Sequence, residues 1–410
     1  MVFEYKINFK CSRRNKRKIS FPGILHVSLL ALLAFLLVSA ATTSTTYIVS
    51  EKSDDYSIQS AINKAEKGDR IIVKSGTYSE RLNITKKLIV IGVDTGNGLP
   101  VVNANEKKSA ITLFRDGIWL EGFAVVNSGS SLQDAGIKVF SNNNLIRGNI
   151  LNNNSYGIYL KNSLNNNIES NLASGNDVGI ALQSSNNNII LNNLATNNSF
   201  AGFFSGNSRN NTIRNNTVNA NAWVGFLFND TDNSSIERNT AVGNANAGIW
   251  VLNSRSNQIK ENNISNCPIF GLILGASFNN TISGNTAYGN LDGISMDTSS
   301  GNIIIKNDIC SNMFGMYLDR SSNNLIYLNN FVRNAIDVYS HSSSNQWNSD
   351  KTLDYLYKGS ISSNNLGNFW CDYTGNDKYE SGIGNTDYIK EFVKDRRPLV
   401  SRKEYYRVLE

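Results

Sequence analysis

The chain has 410 residues, of which 40% are apolar and 18% are charged, with 31 Gly and only 4 Pro. Typical soluble domains hold about 45–50% apolar and about 25% charged residues, so both classes are depleted here. Asn and Ser take their place, in clusters such as 142–144 and 186–188. Strong hydrophobic residues recur between these clusters, which excludes a uniformly disordered polar chain. The few Pro residues exclude a collagen or polyproline rod.

The formal net charge of +6 lies entirely in the N-terminal segment. Residues 1–40 hold seven of the 39 Lys and Arg residues and one of the 33 Asp and Glu residues, so the rest of the chain carries 32 of each. A domain that binds nucleic acid concentrates positive charge on its folded surface. We therefore expect no nucleic-acid partner.

Residues 1–40 have the pattern of an export signal. Basic residues precede an apolar stretch from Ile24 to Ala41, and small residues surround Ala40. This order is typical of a signal peptide, with cleavage near Ala40. The alternative is an uncleaved anchor, because about 17 apolar residues lie at the short limit for a membrane span. In both cases we expect the body of the chain to be secreted, periplasmic or at the cell surface. It would contact the membrane only through an uncleaved N-terminal segment.

Residues 41–130 are predicted to form an N-terminal cap and the first irregular coils of a repeat structure. Apolar residues follow helical spacing at Ile58, Ala61, Ile62 and Ala65. We expect this amphipathic helix to end before Gly68 and to cover the first coil, because an open edge of stacked strands invites aggregation. Irregular strands are predicted at Ile71–Val73, Leu88–Ile91 and Ile118–Val126.

A repeat of 22 or 23 residues dominates residues 131–345. One Asn recurs at this spacing, at Asn149, Asn171, Asn193, Asn216, Asn239, Asn262, Asn285, Asn307 and Asn329. An aliphatic residue lies three positions before each Asn and an apolar residue lies two positions after it. A Gly then opens a short alternating segment. Each repeat thus contains three short apolar segments whose period of two is typical of strands.

Strands this short cannot bury their apolar faces alone, so successive repeats must stack. A parallel β-helix with three short strands per coil meets this requirement, and we predict an all-β fold of this kind. Leucine-rich repeats share the period, but they need a helical or 3₁₀ segment that these repeats do not show. In stacked coils the Asn side chains lie about 4.8 Å apart, so that each amide can bond to the one above and the one below.

The strand that follows each Gly supplies the candidate binding face. Alternation turns its first and third residues inward and its second and fourth residues outward. The first outward row contains the candidate ligand-binding residues Tyr159, Phe204, Leu227, Trp250, Ile273, Tyr317 and Tyr339. Because Gly has no side chain, the sequence predicts a shallow groove beside this row. It also predicts a contiguous exposed apolar strip from Phe204 to Ile273.

Exposed apolar strips usually mark interaction sites, and aromatic faces spaced along an axis suit sugar rings. Two hypotheses follow from the strip. The face binds a polysaccharide or another glycan, or it binds another envelope protein. The alternative is that a loop or the C-terminal tail covers the strip.

The second outward row ends in Asp297, Asp319 and His341 on successive coils, beside Tyr317 and Tyr339. Glycoside hydrolases use paired carboxylates. Two carboxylates this close are expected to raise the pKa of one of them, as a general acid requires. These three residues are therefore the candidate catalytic site of a polysaccharide-acting hydrolase. The alternative is two exposed turn Asp residues beside an unrelated His.

Residues 346–410 form a distinct tail that we expect to be an irregular cap over the last coil. The repeat decays at Asp337, where Asp replaces the usual Gly. Calcium takes several converging oxygen ligands, which Asp377, Glu380 and Asp387 could supply. A basic and an aromatic residue interrupt these carboxylates, so the alternative is a solvated loop.

Three stretches carry a family resemblance: Asp55–Tyr78, the repeat itself, and Asn345–Tyr373. They are similar to the NosD-type β-helix family, whose repeats are also described as carbohydrate-binding and sugar-hydrolase (CASH) repeats, within the pectin-lyase-like superfamily. The resemblance covers residues 47–400. It implies a right-handed, single-stranded parallel β-helix on a prokaryotic surface or in a periplasm. Members range from surface proteins to a maturation factor for a copper enzyme, so no single activity is implied.

Copper favours clustered thiolate, thioether or imidazole ligands. Outside the signal the chain has one His, His341, while Cys267 and Cys310 are about two coils apart and Met316 is assigned to the core. We therefore do not expect copper, and calcium stays the only candidate cofactor. The sequence predicts an exported or cell-surface β-helix that binds carbohydrate or a surface partner along the Gly-strand face. A glycoside hydrolase, a structural envelope protein and a copper-related periplasmic protein are the alternatives.

Overall fold

Three long parallel β-sheets dominate the computed structural model, which describes residues 44–51 and 57–409. Each coil gives one strand to each sheet, and that strand pairs with the equivalent strands of the coils before and after it. The described residues form about 13 coils in this way. The parallel β-helix predicted from the repeat is confirmed.

We number the sheets by the order in which a coil enters them. The 13 described strands of sheet 1 are Thr46–Val49, Arg70–Lys74, Ile89–Val93, Trp119–Glu121, Leu145–Arg147, Asn167–Glu169, Ile189–Leu191, Thr212–Arg214, Ser235–Glu237, Gln258–Lys260, Thr281–Ser283, Ile303–Ile305 and Leu325–Tyr327. The 13 described strands of sheet 2 are Thr77–Tyr78, Val101–Asn103, Ala124–Val126, Ile150–Asn152, Leu172–Ser174, Leu194–Thr196, Thr217–Asn219, Thr240–Val242, Asn263–Ser265, Thr286–Tyr288, Asp308–Cys310, Asn330–Val332 and Phe369–Trp370. The 12 described strands of sheet 3, which hold the repeated Gly, are Leu82–Ile84, Ile111–Leu113, Ala135–Val139, Tyr156–Lys161, Val178–Gln183, Ala201–Arg209, Val224–Asp232, Ala247–Leu252, Phe270–Gly275, Asp292–Asp297, Phe314–Asp319 and Ile336–His341.

The register of the sheets places equal repeat positions over one another. In sheet 1, Ile146 pairs with Ile168 and Ile168 pairs with Ile190. These side chains are fully buried in one continuous apolar core that runs between the three sheets. Stacking therefore buries what a single short strand leaves exposed.

The repeated Asn lies at the corner between sheets 1 and 2 and forms a hydrogen-bonded ladder. Asn149 donates from its backbone N and from Nδ2 to Oδ1 of Asn171, both at 3.0 Å. The same pattern continues coil by coil to Asn329, which donates to Oδ1 of Asn368 in the tail. The ladder satisfies polar groups that the coil buries at each corner.

The coils contain two further ladders. One lies at the corner between sheets 2 and 3, where Asn154 donates to Asn176, and its row includes Cys267. The other lies at the corner between sheets 3 and 1, where the sequence has Asn clusters that were not assigned to a ladder. Asn144 donates to Asn166, and Asn166 donates to Asn188, through side-chain bonds of 2.8 and 3.1 Å. A Ser row runs beside it, in which the backbone N of Ser163 donates to Oγ of Ser185. The last Asn of the clusters 142–144 and 186–188 thus faces inward and is structural.

The prediction of a groove, made from the missing side chains of the repeated Gly, is wrong. A Cβ at Gly271 would point into the cylinder, 2.6 Å from the carbonyl oxygen of Gly293 and 2.7 Å from Nδ2 of Asn290. In the sheet register the residues on either side of Gly271 are paired and Gly271 itself is not. The two neighbouring strands therefore approach closely at this position. Gly is present because the next coil occupies the space of a side chain, and it opens no cleft on the outer face.

The predicted N-terminal helix is Ile58–Lys64. Its apolar side, including Ile58 and Ile62, is buried against the first coils. Oγ of Ser57 accepts from the backbone N of Ser60 at 3.1 Å as the N-cap, and the Glu80 carboxylate accepts from the backbone N of Ile58 at 2.7 Å. These acceptors satisfy donors that a helix N-terminus otherwise leaves unpaired.

The tail adds antiparallel strands to the end of the cylinder. Its three-stranded sheet consists of Leu353–Tyr357, Ser360–Asn364 and Tyr406–Val408, and its two-stranded sheet, which we call the tail hairpin, consists of Tyr388–Lys390 and Val393–Asp395. A 3₁₀ turn covers Lys403–Tyr405. Trp370 stacks between Phe331 of the last coils and Tyr388 of the tail hairpin, with ring centroids 4.3 and 4.5 Å apart. The tail thereby continues the core across the final coil.

The predicted signal peptide, residues 1–40, lies outside the described residues. Among the helices that the structure does describe, none has the length and hydropathy needed to cross a membrane.

Candidate functional site

The outer face of sheet 3 carries the predicted binding row in register. Phe204 pairs with Leu227, Leu227 with Trp250, and Trp250 with Ile273. Neighbouring strands of a sheet lie about 4.8 Å apart, so the four side chains form a continuous column along the axis.

The column is much less exposed than predicted. Leu227 is 8% exposed and Ile273 is 9% exposed, while Phe204 and Trp250 are half-buried. All four belong to an apolar cluster outside the main core. The expectation of an exposed strip is therefore wrong, because side chains from neighbouring positions cover its edges.

Those neighbours are aromatic residues that the sequence analysis missed. Trp223 lies between Phe200 and Trp250, with ring centroids at 4.7 and 5.2 Å. Phe270, one residue before its Gly, lies 6.5 Å from Trp250. Phe200 and Trp223 both stand two residues before a Gly, so this fixed offset was a signal that could have identified them.

Tyr159, the first aromatic residue of the predicted row, is buried. Its ring stacks on Tyr156 at 4.8 Å, and it is 6% exposed. Burial also raises the pKa of its phenol. Tyr159 thus contributes to packing on the outer face and presents little surface to a ligand.

Tyr317 and Tyr339 form a second aromatic part of the row, nearer the C-terminal end of sheet 3. Their rings stack 5.0 Å apart at an interplanar angle of 24°, and both are half-buried. Phe314 packs its edge against both rings, at 5.9 and 6.0 Å. The faces of the two tyrosine rings are therefore turned toward each other, with Phe314 against both, and the rings offer their edges near the C-terminal end of sheet 3. We call this group the tyrosine surface.

The predicted catalytic residues lie beside this surface and form one ionic network. The register pairs Asp297 with Asp319 and Asp319 with His341. Nη2 of Arg320 lies 2.8 Å from Oδ1 of Asp297 and 3.0 Å from Oδ2 of Asp319. Nδ1 of His341 lies 2.7 Å from Oδ1 of Asp319. Arg320 thus connects the two carboxylates, and every member of the network reaches solvent.

This network changes the acid–base chemistry expected of the pair. The hydrogen bond with His341 and the positive charge of Arg320 lower the pKa of Asp319. From the sequence alone, two unscreened carboxylates are expected to raise the pKa of one of them. That expectation is wrong for Asp319, because a guanidinium lies between the carboxylates and stabilises the ionised form.

A different carboxyl on the same face does have a raised pKa. Asp292 lies one residue before Gly293, in register between Phe270 and Phe314. It is 5% exposed, and burial raises its pKa to about 6 despite a hydrogen bond with Ser295. The sequence analysis missed this group because it read only the positions that follow each Gly.

The calcium candidates of the tail do not converge. The Asp377 carboxylate accepts from the backbone N of Ser381 and Gly382, at 2.9 and 2.7 Å, and Asp387 lies 3.7 Å from Nζ of Lys394. No three His, Cys, Asp or Glu side chains within 44–51 and 57–409 are grouped as a metal site would require. The three candidate side chains, Asp377, Glu380 and Asp387, are therefore not brought together in the described part of the chain, and Asp377 closes a loop.

The Cys, Met and His side chains that could bind copper are also not grouped in the described residues. Cys267 is fully buried in an Asn ladder, and Met296 and Met316 are fully buried in the core. Cys371 and Cys310 share a position of sheet 2 but are separated by the strand of Val332. A copper ion needs converging thiolate, thioether or imidazole groups, and the described residues do not offer such a set.

Solved β-helix structures share this architecture at low sequence identity. The A-module of mannuronan C-5 epimerase AlgE6 from Azotobacter vinelandii matches with a TM-score of 0.58 and 15% identity, over 70% of this chain and 93% of that chain. The Dettilon tailspike protein (gp208) matches with a TM-score of 0.58 and 18% identity, over 75% and 72%. DFA-IIIase from Arthrobacter chlorophenolicus A6 without its lid matches with a TM-score of 0.54 and 15% identity, over 69% and 94%. These likenesses show the fold.

A search of curated protein sequences finds no significant match. The family model for NosD, described as a periplasmic copper-binding protein, matches residues 38–267 and 221–375. The copper in that description does not fit the donors of the described chain, as the dispersed thiols and imidazole show. The two matches overlap and together span most of the sequence, and on that basis the chain belongs to the NosD family.

Proposed function

We propose that this protein is exported and binds a polysaccharide along the outer face of sheet 3, with its main contact at Tyr317 and Tyr339. The observation that carries the proposal is the stacked tyrosine pair beside the ionic network of Asp297, Asp319, Arg320 and His341. Export rests on the basic and apolar pattern of residues 1–40 and agrees with the periplasmic description of the family model.

The tyrosine pair suits a sugar because each phenol combines an apolar ring edge with a hydroxyl group. The ring edge can contact the C–H groups of a sugar, and the hydroxyl group can donate to or accept from a sugar hydroxyl. Tyr317 and Tyr339 lie on adjacent strands of sheet 3, so their rings follow the axis of the cylinder. A linear polymer that lies along this axis can contact both rings at once.

The ionic network suits the hydroxyl groups of the same ligand. Arg320 is 60% exposed and His341 is 65% exposed on their side chains, so the guanidinium offers donors and the imidazole offers a ring nitrogen to solvent. The Asp297 side chain is 52% exposed and offers acceptors. Hydrogen bonds to charged groups are stronger than neutral ones, and they can orient a hydroxyl-rich chain over the tyrosine rings.

The same geometry favours binding over hydrolysis. A general acid must hold its proton near the working pH, whereas Asp319 has a lowered pKa through its bonds with His341 and Arg320. Both Asp297 and Asp319 are also engaged by one guanidinium. We therefore expect the polysaccharide to be bound and released without cleavage.

The test is affinity gel electrophoresis against mannuronan, a xylan, a mannan and an amylose. We expect at least one of these polymers to retard the protein, and Tyr317→Ala together with Tyr339→Ala to weaken that binding about tenfold. The matched control is Tyr288→Ala, which removes a half-exposed tyrosine from sheet 2. It should leave the retardation unchanged.

Three results would count against the proposal. Retardation by none of the four polymers would remove its basis. An equal loss in the Tyr288→Ala protein would show that the effect is not local to sheet 3. Release of shorter oligosaccharides during incubation, abolished by Asp319→Asn, would replace binding with hydrolysis.

A further inference from the structure

A cleft closes the C-terminal end of the proposed binding face. It lies between the last strand of sheet 3, Ile336–His341, and the tail hairpin, and its volume is about 500 Å³. Its lining includes Ile336, Tyr339, Trp370, Tyr388, Lys390 and Phe392. Most of these side chains are apolar or aromatic, with a few polar groups among them, as in sites that bind small organic groups.

The cleft contains a carboxylate at a position where the nine preceding coils have Gly. Asp337 faces Gly315 in the register of sheet 3. At Gly315 a Cβ would lie 2.6 Å from the Asp337 carbonyl oxygen, so a side chain is excluded there by the following coil. No further strand of sheet 3 follows Asp337 among the described residues. A side chain is accommodated at Asp337 for this reason, and the chain uses the space for a carboxylate under the tail hairpin.

The carboxylate of Asp337 is buried but incompletely paired. It is 8% exposed, and its Oδ1 accepts from Nδ2 of Asn334 at 3.1 Å. Its Oδ2 lies 3.9 Å from Nζ of Lys390, which is beyond hydrogen-bond distance, and the Tyr388 hydroxyl, which donates to Asp372, is the other polar group that stabilises it. A buried carboxylate normally has several donors, so a ligand hydroxyl in this cleft would complete its bonding.

Two more polar groups of the cleft are held in fixed positions. Nζ of Lys390 lies 2.6 Å from Oδ2 of Asp372, and the Tyr388 hydroxyl donates to Oδ1 of Asp372 at 3.1 Å. Asp372 therefore orients both an ammonium and a phenol at the mouth of the cleft. Together with Asp337 they offer donors and an acceptor to one small hydroxyl-bearing group.

The cleft is continuous with the tyrosine surface. Tyr339 is the last residue of the aromatic row and also lines the cleft, and its ring meets the edge of Phe392 at 5.3 Å. Phe392 belongs to the turn of the tail hairpin, so it stands across the end of the row. A polymer that follows Tyr317 and Tyr339 toward the C-terminus meets the hairpin and cannot continue straight along the axis.

We infer that this cleft is a terminal subsite that holds the last sugar residue of the bound polysaccharide, so that the protein recognises a chain end. The inference rests on the proposed function. The sugar ring would lie against Tyr339 and Phe392, with its hydroxyl groups on Asp337 and Lys390. Chain-end recognition predicts that the amount of tightly bound protein follows the number of polymer ends and not the polymer mass.

The experiment measures bound protein against size fractions of mannuronan, xylan, mannan and amylose at equal total sugar mass. For the polymer that binds, halving the chain length should about double the amount of protein bound at saturation. Lys390→Ala should weaken binding about tenfold, because it removes the ammonium from the cleft. The matched control is Lys394→Ala, which changes the other strand of the same hairpin, where Lys394 lies near Asp387.

The two proposals fail in different ways. Saturation that depends only on sugar mass, with Tyr317→Ala still weakening binding, would overturn the terminal subsite and leave the binding face intact. Equal losses in Lys390→Ala and Lys394→Ala would also overturn the subsite, since the effect would then belong to the hairpin as a whole. Absence of binding to every fraction of all four polymers would overturn the proposed function itself.

Discussion

The corner Asn residues explain why this sequence is rich in Asn without being disordered. A buried amide offers a donor and an acceptor on one short side chain, which is what a stack of identical turns requires. Asn262 donates from Nδ2 to Oδ1 of Asn285 at 2.8 Å and to the carbonyl of Ile236 at 2.9 Å. An Asp at this position would place like charges next to one another in the stack, and a hydrophobic residue would remove the bonds to Asn285 and to the carbonyl of Ile236.

The ladder can be tested with two adjacent residues. Asn262 is buried and Asn263, the next residue, points outward from sheet 2 and is exposed. We expect Asn262→Ala to lower the free energy of unfolding by about 2–4 kcal/mol, because it leaves buried donors and acceptors of two coils unpaired. Asn263→Ala should change it by less than about 0.5 kcal/mol. Urea denaturation followed by circular dichroism measures both.

Equal effects of the two substitutions would contradict this account, since only one of them touches the ladder. The ladder at the corner between sheets 2 and 3 has a natural interruption at Cys267, which sets a useful limit. The backbone N of Cys267 still donates to Oδ1 of Asn290 at 3.0 Å, while its Sγ makes only weak contacts with the carbonyls of Ser265 and Ala241, at 3.6 and 4.0 Å. One weaker rung is therefore compatible with the stack, whereas Ala removes every side-chain bond.

At the scale of the strand, alternation predicts most of sheet 3 but fails at one position. The inward and outward directions after each Gly follow the period of two, so the rows of Trp250 and of Asp319 are in the expected register. The residue before each Gly also faces outward, because the pairing passes over Gly and continues one residue earlier. Asp292 and Phe270 were missed for this reason, since no residue pattern reveals an interruption of pairing at a Gly.

The ionic network shows a second limit of prediction from the sequence. The stacking of Asp297 over Asp319 follows from the repeat alone. The position of Arg320 does not, because it depends on the left-handed backbone at Arg320, with φ of 46°, which directs a long flexible side chain back over the sheet. The sequence therefore predicted the carboxylates and His341, but not the position of Arg320, whose charge adds to the hydrogen bond of His341 in lowering the pKa of Asp319.

The role of Gly in these strands can be tested within one strand, Phe270–Gly275. A Cβ at Gly271 would clash with the backbone of the next coil, whereas a Cβ at Gly275 meets only the flexible tip of Leu252 at 3.0 Å. We expect Gly271→Ala to lower the free energy of unfolding by about 1–3 kcal/mol, as overpacking does. Gly275→Ala should be neutral or slightly stabilising, because it restricts the unfolded chain. Thermal denaturation of the two proteins would contradict this if their midpoints fell equally.

For the whole molecule, the balance of charge means that the pH dependence of stability comes from single buried groups. The chain beyond residue 40 carries 32 basic and 32 acidic residues, so no large net charge destabilises it at neutral pH. Stability in a stacked repeat is a sum over coils and their interfaces. The dependence of that sum on pH should therefore come from carboxyl groups whose pKa differs between the folded and the unfolded chain, and Asp292 is one of them.

The raised pKa of Asp292 determines whether its contribution to stability rises or falls with pH. In the folded protein burial raises the pKa to about 6, whereas in the unfolded chain it returns to the ordinary value of 3.8. Below about pH 4 both states hold the proton, and the group imposes no penalty. As the pH rises toward 6, the unfolded chain loses its proton first and stability falls. Above pH 6 the penalty is constant, at up to about 3 kcal/mol.

Asp292→Asn should remove this penalty, because the amide has a similar shape and no charge to bury. We expect the thermal midpoint of Asp292→Asn to exceed that of the parent protein at pH 7.5 and to equal it at pH 4. The matched control is Asp350→Asn, at an exposed position, which should shift neither midpoint. A gain of equal size at both pH values would show that Asp292 acts through packing and not through its charge. A loss at pH 7.5 would show that the ionised carboxylate is stabilised between Phe270 and Phe314, against the argument made from its burial.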